Sequence, residues 1–408
     1  MSKVLSGKIV SWALFDLGNT AHSALIVTLF FPVLIKNYLG GNEFMISLVI
    51  GLSLVLAALI VPFVGGISDA TNIKRPFLML FSVTTIFFVI LIGSFTSLYL
   101  ALIFALIANL SYHVTLDIYD SYITNLTTPK NYGFVSGFGV AMGYLGTIFS
   151  LIMAWILLDY FGWDTLTGIR VIFPATAFFF LFFAIPIFFV RDENRNETKI
   201  REGAIISFRE VSNTIKGIKK YKNVWKFLLA SFFYTGAVNT AISFLFLFGQ
   251  EQLDLSIKQF IPIFGMMALS SAIGAYIFGL INDEIGPKKS LITALILWIS
   301  VISVLLIETN FITYIMTGMV GGALLGAIWT STRPMLIHIA PKEKITELFG
   351  FQGLTEKTGG LTVVFYGLLT IVGGHKLGVT SILFFLIMGL IMLSMVKEIQ
   401  HEDIVEDY

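Results

Sequence analysis

Charged side chains are scarce in this 408-residue chain, since Lys, Arg, Asp and Glu together make up 12% of it. A typical soluble domain carries about 25% of such residues, so the chain has too few charges to cover a water-exposed surface. Its net charge is +1, which leaves no basic excess for a nucleic-acid backbone. Cysteine is absent, which excludes disulfides and thiolate metal sites. The composition argues against a water-soluble enzyme and against a nucleic-acid-binding protein.

Apolar residues are abundant instead: they make up 56% of the chain, and the mean hydropathy is +0.88. A helix needs ~20 apolar residues to cross a hydrocarbon core of ~30 Å. Twelve segments meet this requirement, and they run over 9–38, 44–67, 76–95, 98–127, 132–158, 169–190, 223–249, 258–281, 290–307, 311–340, 345–373 and 377–396. The sequence therefore predicts an all-α membrane protein with twelve transmembrane helices.

The distribution of Lys and Arg predicts that both termini are cytoplasmic. With the N-terminus inside, inner loops and tails hold 20 of the 26 basic residues and outer loops hold 4, as the positive-inside rule requires. The long loop 191–222 has apolar residues at helical spacing between basic ones, which predicts an amphipathic helix on the membrane surface. This linker divides the chain into a six-helix half 1–190, a second half 223–397 and a cytoplasmic tail 398–408.

Short polar motifs recur in the same order in the two halves. The motif Asn19-Thr20-Ala21-His22-Ser23 of span 1 returns 220 residues later as Asn239-Thr240-Ala241-Ile242-Ser243 of span 7. A glycine–acid–basic motif follows the second span of each half, and its members are Gly65, Asp69, Lys74 and Arg75, and then Gly279, Asp283, Gly286, Lys288 and Lys289. Because each half has an even number of spans, the halves are predicted to be parallel repeats about an axis along the membrane normal.

The glycine–acid–basic motif resembles the loop motif of the major facilitator superfamily. The segments Ser11–Asn19 and Ser136–Gly146 further resemble the branch that contains the fungal vacuolar, autophagy-associated amino-acid effluxer and its bacterial relatives. The resemblance implies that spans 1, 4, 7 and 10 line a pathway and that the loop motifs act as electrostatic latches. The glycines of span 5 form two G-x-x-x-G steps, Gly133/Gly137 and Gly139/Gly143, which predict close helix packing. The resemblance implies that this region lies where the two halves meet. No enzyme activity and no cofactor is expected, because the sequence has no nucleotide loop, nucleophile elbow or metal triad.

Polar and ionisable side chains inside the spans are the candidate site, because they are costly in a bilayer and usually mark a pathway. The candidates for the substrate or proton pathway are Asp16, Asn19, Ser23, Asn109, His113, Asp117, Asp120, Asn239, Ser243, Arg333, Glu356 and Lys357. The four from span 4 share one helical stripe. An ion pair between Asp16 and Arg333 would form a gate between the halves. His22 and His338 are expected to be packed or interfacial.

These features predict a monomeric secondary transporter in the cytoplasmic (inner) membrane. It would move a small polar solute, such as an amino acid, by alternating access coupled to protons. Several alternatives remain open: an uncoupled facilitator or drug-type effluxer, and a transporter-derived lipid scramblase or sensor. Asp16 would also be explained by a position facing the cytosol, and Asp117 and Asp120 by a structural network with span 5.

Overall fold

A computed structural model of the chain describes residues 6–71, 73–126, 132–190, 221–340 and 345–397. In this part of the chain, eleven helical runs are long and apolar enough to cross a membrane. The last of them has 44 residues, which at 1.5 Å per residue is about twice the length that one crossing needs. The all-α membrane class is confirmed. The predicted linker helix and the C-terminal tail fall on 191–220 and 398–408, outside the described residues.

Ten of the helices match one predicted span each, with ends within four residues of the prediction. Together with two further helices at the end of the chain, they are α1 Gly7–Tyr38, α2 Glu43–Thr71, α3 Arg75–Ser94, α4 Leu98–Leu126, α5 Tyr132–Phe161, α6 Leu166–Phe188, α7 Lys222–Leu253, α8 Ile257–Ile285, α9 Pro287–Ile307, α10 Phe311–Ile339, α11 Ile345–Thr358 and α12 Gly360–Ser394. The helix ends have residue types that commonly begin or end a helix. At the start of α6, for example, Thr165 Oγ1 accepts a hydrogen bond from the Gly168 amide at 3.0 Å.

Helix α1 is not a uniform α-helix, although its sequence predicts one. It is α-helical over Gly7–Ala21, π-helical over His22–Phe30, α-helical for one short turn, and π-helical again over Leu34–Tyr38. The Thr28 hydroxyl donates to the Ser23 carbonyl, five residues earlier, at 2.9 Å. Because π-helices are rare and often occur at functional sites, the change at His22 marks the middle of α1 as a candidate functional region.

The last two predicted spans are joined by a kink rather than by the predicted loop. Helix α12 runs through Gly373 and Gly374, whose backbone angles are not helical, and Gly374 has a φ of +70°. Glycine adopts such an angle without the steric cost of a side chain. Span 11 is therefore α11 with the first part of α12, and span 12 is the remainder of α12.

The chain forms two compact units. Unit 1 contains Met1–Val211 with Ser256–Ile261, and unit 2 contains Ser212–Leu255 with Pro262–Tyr408. In unit 1, α1 packs against α5 and α6, and α3 packs against α4 and α6. In unit 2, α7 packs against α11 and α12, and α9 packs against α10 and α12. Shifting the helix numbers by six maps each pair onto its counterpart, so the packing inside each unit follows the predicted repeat.

Candidate functional site

The glycines of α5 receive helix α1 within unit 1. A Cβ atom on Gly146 would lie 2.0 Å from the Leu17 carbonyl oxygen, so the two backbones touch there. A Cβ on Gly143 would lie 3.0 Å from Asp16 Oδ2. The sequence predicted close helix packing at the span-5 glycines, and Gly143 packs closely against α1 of its own unit. Gly143 and Gly146 give α1 a close approach and leave room for the Asp16 carboxylate.

An aromatic cluster fixes α1 against α4. The Trp12 indole N–H donates to the Tyr119 carbonyl oxygen at 3.0 Å, and the two rings are stacked with centroids 4.5 Å apart. Phe15 packs on the other side of the contact, 5.2 Å from the Tyr119 ring. A Cβ on Gly139 would lie 2.6 Å from the Trp12 ring, so α5 packs directly against the cluster. All three aromatic side chains are buried, and together they set the rotation of α1 relative to α4.

This rotation brings two of the predicted carboxylates together. Asp16 of α1 lies close enough to Asp120 of α4 for their charges to interact. Asp16 is half-buried, Asp117 is half-buried and Asp120 is exposed. Two carboxylates that share a site repel each other when both are ionised, and a proton bound by the pair relieves the repulsion.

The start of the α4 stripe meets α1 and α2 in the middle of unit 1. Asn109 Nδ2 donates to Ser53 Oγ of α2 at 2.5 Å. His22 is 2% exposed, and its ring lies 4.4 Å from the Tyr112 ring. The burial of His22 agrees with the expectation of a packed side chain. Sequence reasoning missed its position at the first π-helical residue, for which the sequence gives no signal.

The remaining candidates of unit 1 lie beside these groups. His113 is half-buried, and its ring is 5.2 Å from that of its neighbour Tyr112. The Ser23 hydroxyl donates to the Thr20 carbonyl at 2.9 Å, within α1. The structure thus spreads the predicted stripe over two places: Asp120 meets Asp16, and Asn109 lies near His22.

In unit 2, the candidates on α7 and α11 lie near a pair of hydroxyl groups. The Tyr234 and Thr332 hydroxyls are 3.1 Å apart and link α7 to α10. Tyr234 is also close enough to Glu356 of α11 to sense its charge. Glu356 Oε1 accepts a hydrogen bond from Gln352 Nε2 at 2.9 Å, so the carboxylate has a fixed orientation. Its neighbour Lys357 is half-buried.

The two α7 candidates continue along the same helix. Asn239 is half-buried, and the Ser243 hydroxyl donates to the Asn239 carbonyl at 2.8 Å. Thr240 lies between them and is 3.1 Å from the Thr362 hydroxyl of α12. Hydroxyl pairs therefore join α7 to α10 and to α12. The hydrogen-bond partners of the Thr240 and Ser243 hydroxyls are neutral groups.

The latch and gate predictions remain predictions. The side chains of Asp69, Asp283 and Arg333 lie outside the described residues. The other members of the loop motifs occupy helix ends: Gly65 in α2, Lys74 just before α3, Arg75 at the start of α3, Gly279 in α8, Gly286 just before α9, and Lys288 and Lys289 in the first turn of α9. Gly286 has a φ of +84°, which explains why glycine stands at this turn.

A bundle of membrane helices in two internally repeated units, with buried polar groups on corresponding helices, defines a multi-pass integral membrane transporter. The sequence matches the model of the Major Facilitator Superfamily over residues 17–283 and 263–397. Because these matches span most of the chain, the protein belongs to that family. It is a secondary transporter and not an enzyme.

Known relatives agree with this assignment over nearly their whole length. The MFS-type transporter YxiO of Bacillus subtilis is 23% identical over 413 residues, which cover 97% of this chain and 96% of YxiO. The nucleoside transporter NupG, solved as a mutant, has a TM-score of 0.72 at 15% identity and covers 95% of this chain and 98% of its own. A D-xylose-proton symporter has a TM-score of 0.71 at 15% identity, with coverage of 96% and 98%. At this identity the solved structures show the fold alone.

Proposed function

We propose that the protein is a monomeric, proton-coupled transporter of a small polar solute, an amino acid or a similar zwitterion, in a cytoplasmic membrane. Transport would proceed by rocking-type alternating access, as in related folds. The names of the solved relatives, a nucleoside transporter and a D-xylose-proton symporter, support a small polar solute. The resemblance of Ser11–Asn19 to the amino-acid effluxer branch favours an amino acid within that class.

The proximity of Asp16 and Asp120 carries the proposal of proton coupling. The two carboxylates belong to different helices and interact through their charges. A proton that they share is bound most tightly while α1 and α4 hold them together, and it is released when the two carboxylates move apart. Because α1 and α4 belong to the pathway helices that the resemblance implies, a change in access would change protonation.

Charges on α11 support a zwitterionic solute. Glu356 offers a carboxylate for an ammonium group, and Lys357 offers an ammonium for a carboxylate. Both side chains are half-buried on the same helix. The distribution of Lys and Arg, 20 against 4, supports cytoplasmic termini, which would place Asp16 and Asp120 in the cytoplasmic half of the membrane.

Transport by purified protein in lipid vesicles tests the proposal. A thermal-shift screen of amino acids first identifies a solute that stabilises the protein. Its uptake is then measured with and without an imposed pH gradient, for the wild type and for Asp16→Asn and Asp120→Asn. We expect either substitution to reduce gradient-driven accumulation to the level of leak while solute exchange continues, because a neutral amide cannot carry the proton.

Asp164→Asn is the matched control, because Asp164 is an exposed acid that lies between α5 and α6. It is expected to leave accumulation unchanged. Uptake by the wild type that ignores the pH gradient would instead identify an uncoupled facilitator. Loss of exchange together with accumulation in Asp16→Asn would assign Asp16 to solute binding rather than to proton coupling.

A further inference from the structure

Unit 1 has a small cavity between α1, α2, α3 and α4. Its innermost part has about 10 Å³ for the centre of a water-sized group, which is room for about one water molecule or one hydroxyl. Among the described residues that line it, His22 and Asn109 are polar and the other eight are apolar. The cavity is therefore a nearly dry compartment with polar atoms from two side chains.

These polar atoms have hydrogen-bonding capacity left over. His22 is 2% exposed and Asn109 is 4% exposed. Both ring nitrogens of His22 and the Oδ1 atom of Asn109 are buried, and no hydrogen bond of good geometry reaches them from the described residues, although the two side chains lie close enough to interact with each other. Asn109 already uses its Nδ2 group on Ser53. Buried polar atoms without partners are rare and costly in native proteins, so a partner at this place would be stabilising.

The chemistry of the two side chains specifies that partner. A neutral imidazole has one donor and one acceptor nitrogen, and an amide oxygen only accepts. A group that accepts from the His22 N–H and donates to the Asn109 oxygen satisfies both, and a hydroxyl does this with one oxygen atom. The apolar remainder of the lining supplies no counter-charge, which disfavours an ion.

The site is specific to unit 1. At the place of His22 the repeat has Ile242 on α7, and α7 is α-helical throughout while α1 becomes π-helical at His22. If the cavity resulted only from the helix packing that the two units share, an apolar residue at this position would be sufficient in both of them. The polar side chain and the altered helix coincide in unit 1 alone, which is typical of a binding site.

We propose that His22 and Asn109 bind one neutral hydroxyl group no larger than a water molecule. Either an ordered water or a hydroxyl of the transported solute supplies it, and the chemistry of recognition is the same. The proposal does not depend on proton coupling.

Solid-state NMR of the full chain in lipid vesicles tests this, with nitrogen-15 in the histidine rings. The His22 signals are identified by their loss in His22→Ile, which introduces the residue of the corresponding α7 position. We expect polarisation that starts on water protons to reach the His22 nitrogens in the wild type. It should be lost in Asn109→Leu, which removes the second anchor; Asn109→Ser replaces this variant if it does not fold.

His375 is an internal control in the same spectra. It is 1% exposed, and its Nδ1 atom is 2.6 Å from the Tyr366 hydroxyl, so its signals should be the same in every Asn109 variant. Persistence of the water-derived His22 signal in Asn109→Leu, with His375 unchanged, overturns the shared site. Absence of any transfer to His22 in the wild type, with no response to added solutes, overturns the proposal altogether.

Added solutes distinguish the two sources of the hydroxyl. Uridine, D-xylose and L-serine each carry a neutral hydroxyl, and L-alanine is the matched control because it lacks the hydroxyl of serine. A shift of the His22 signals with a hydroxylated solute, and not with alanine, assigns the group to the solute. Water transfer that no solute changes assigns it to an ordered water.

Discussion

Helices α1 and α7 occupy corresponding places in the two units and share a five-residue motif, yet they differ at two informative positions. The motif has His22 in α1 and Ile242 in α7, and six residues before these positions α1 has Asp16 where α7 has Gly236. Both differences remove a titratable side chain from unit 2. The repeat has therefore kept the helix scaffold in both units, while at these two positions only α1 has titratable side chains.

The helices that pack against α1 and α7 differ in a corresponding way. In unit 1, Gly143 of α5 leaves space for the Asp16 carboxylate. In unit 2, a Cβ on Gly236 would lie 2.7 Å from the Gly359 carbonyl oxygen and 2.6 Å from the Thr362 hydroxyl. The equivalent contact there is closed by backbone and hydroxyl groups. One packing position can thus hold either a carboxylate in a small space or a tight helix contact, and this choice separates the two units.

The largest expected effect tests whether the α1–α5 contact is as tight as the geometry indicates. Gly146→Ala would place a methyl group 2.0 Å from the Leu17 carbonyl, and backbone on both sides cannot move without separating the helices. Overpacking of this kind costs about 1–3 kcal/mol or more. We expect little monodisperse protein after detergent extraction and a much lower melting temperature.

Gly353→Ala is the matched control for that change. Gly353 lies on α11, and a Cβ there would meet no atom within 4 Å. It should leave the yield and the melting temperature unchanged. Equal melting temperatures for the two alanine variants would show that the backbone contact in unit 1 is looser than described.

The positions of the spans could be predicted from the sequence because each span is a long run of apolar residues that follow one another along the chain. A run of ~20 apolar residues is needed to cross a bilayer, and residues such as Gly286 and Glu308 bracket α9 at both ends. The repeat was also predictable, since Asn19 and Asn239 begin the same motif. The family followed from these motifs and is confirmed by the match over residues 17–397.

The partners within the site could not be predicted in the same way. Helical spacing puts Asp117 and Asp120 on one stripe, but the rotation of α4 against α1 decides that Asp120 meets Asp16. That rotation depends on the packing of Trp12 on Tyr119, which is a contact between residues far apart in sequence. The π-helix at His22 could not be predicted from the spacing of apolar residues. That spacing does not reveal whether backbone hydrogen bonds join residues five apart, as in a π-helix, or four apart, as in an α-helix.

An intermediate effect tests whether His22 and Asn109 act as a pair, which α7 lacks. His22→Ile and Asn109→Leu each leave unsatisfied polar atoms on the other side chain, whereas the double variant removes both. Removing one partner of a buried polar pair costs about 1–3 kcal/mol, and removing both is often nearly neutral. We expect the double variant to be more stable than the sum of the single changes predicts, by roughly 1 kcal/mol.

Stability is measured by thermal unfolding of all four proteins of this cycle. His22→Ile combined with Gly353→Ala is the control, because the second residue belongs to unit 2 and shares no partner with His22. Those two changes should be additive within the ~0.5 kcal/mol that is usual for independent sites. Additivity in the His22–Asn109 cycle as well would contradict a shared site and would make unit 1 resemble unit 2 at this depth.

The smallest expected effect concerns the aromatic cluster that orients α1. Trp12→Phe introduces the residue that α7 has at the corresponding position, Phe232. It keeps a ring on Tyr119 but removes the hydrogen bond to the Tyr119 carbonyl, which is worth about 1 kcal/mol.

Trp225→Phe is the matched control, since Trp225 is 43% exposed and its replacement should leave the melting temperature unchanged. Because the retained ring still sets the rotation of α1, gradient-driven uptake should persist in Trp12→Phe with a slightly lower melting temperature. Uptake that loses its pH dependence in this variant would show that the hydrogen bond, and not the stacked rings, holds Asp16 against Asp120.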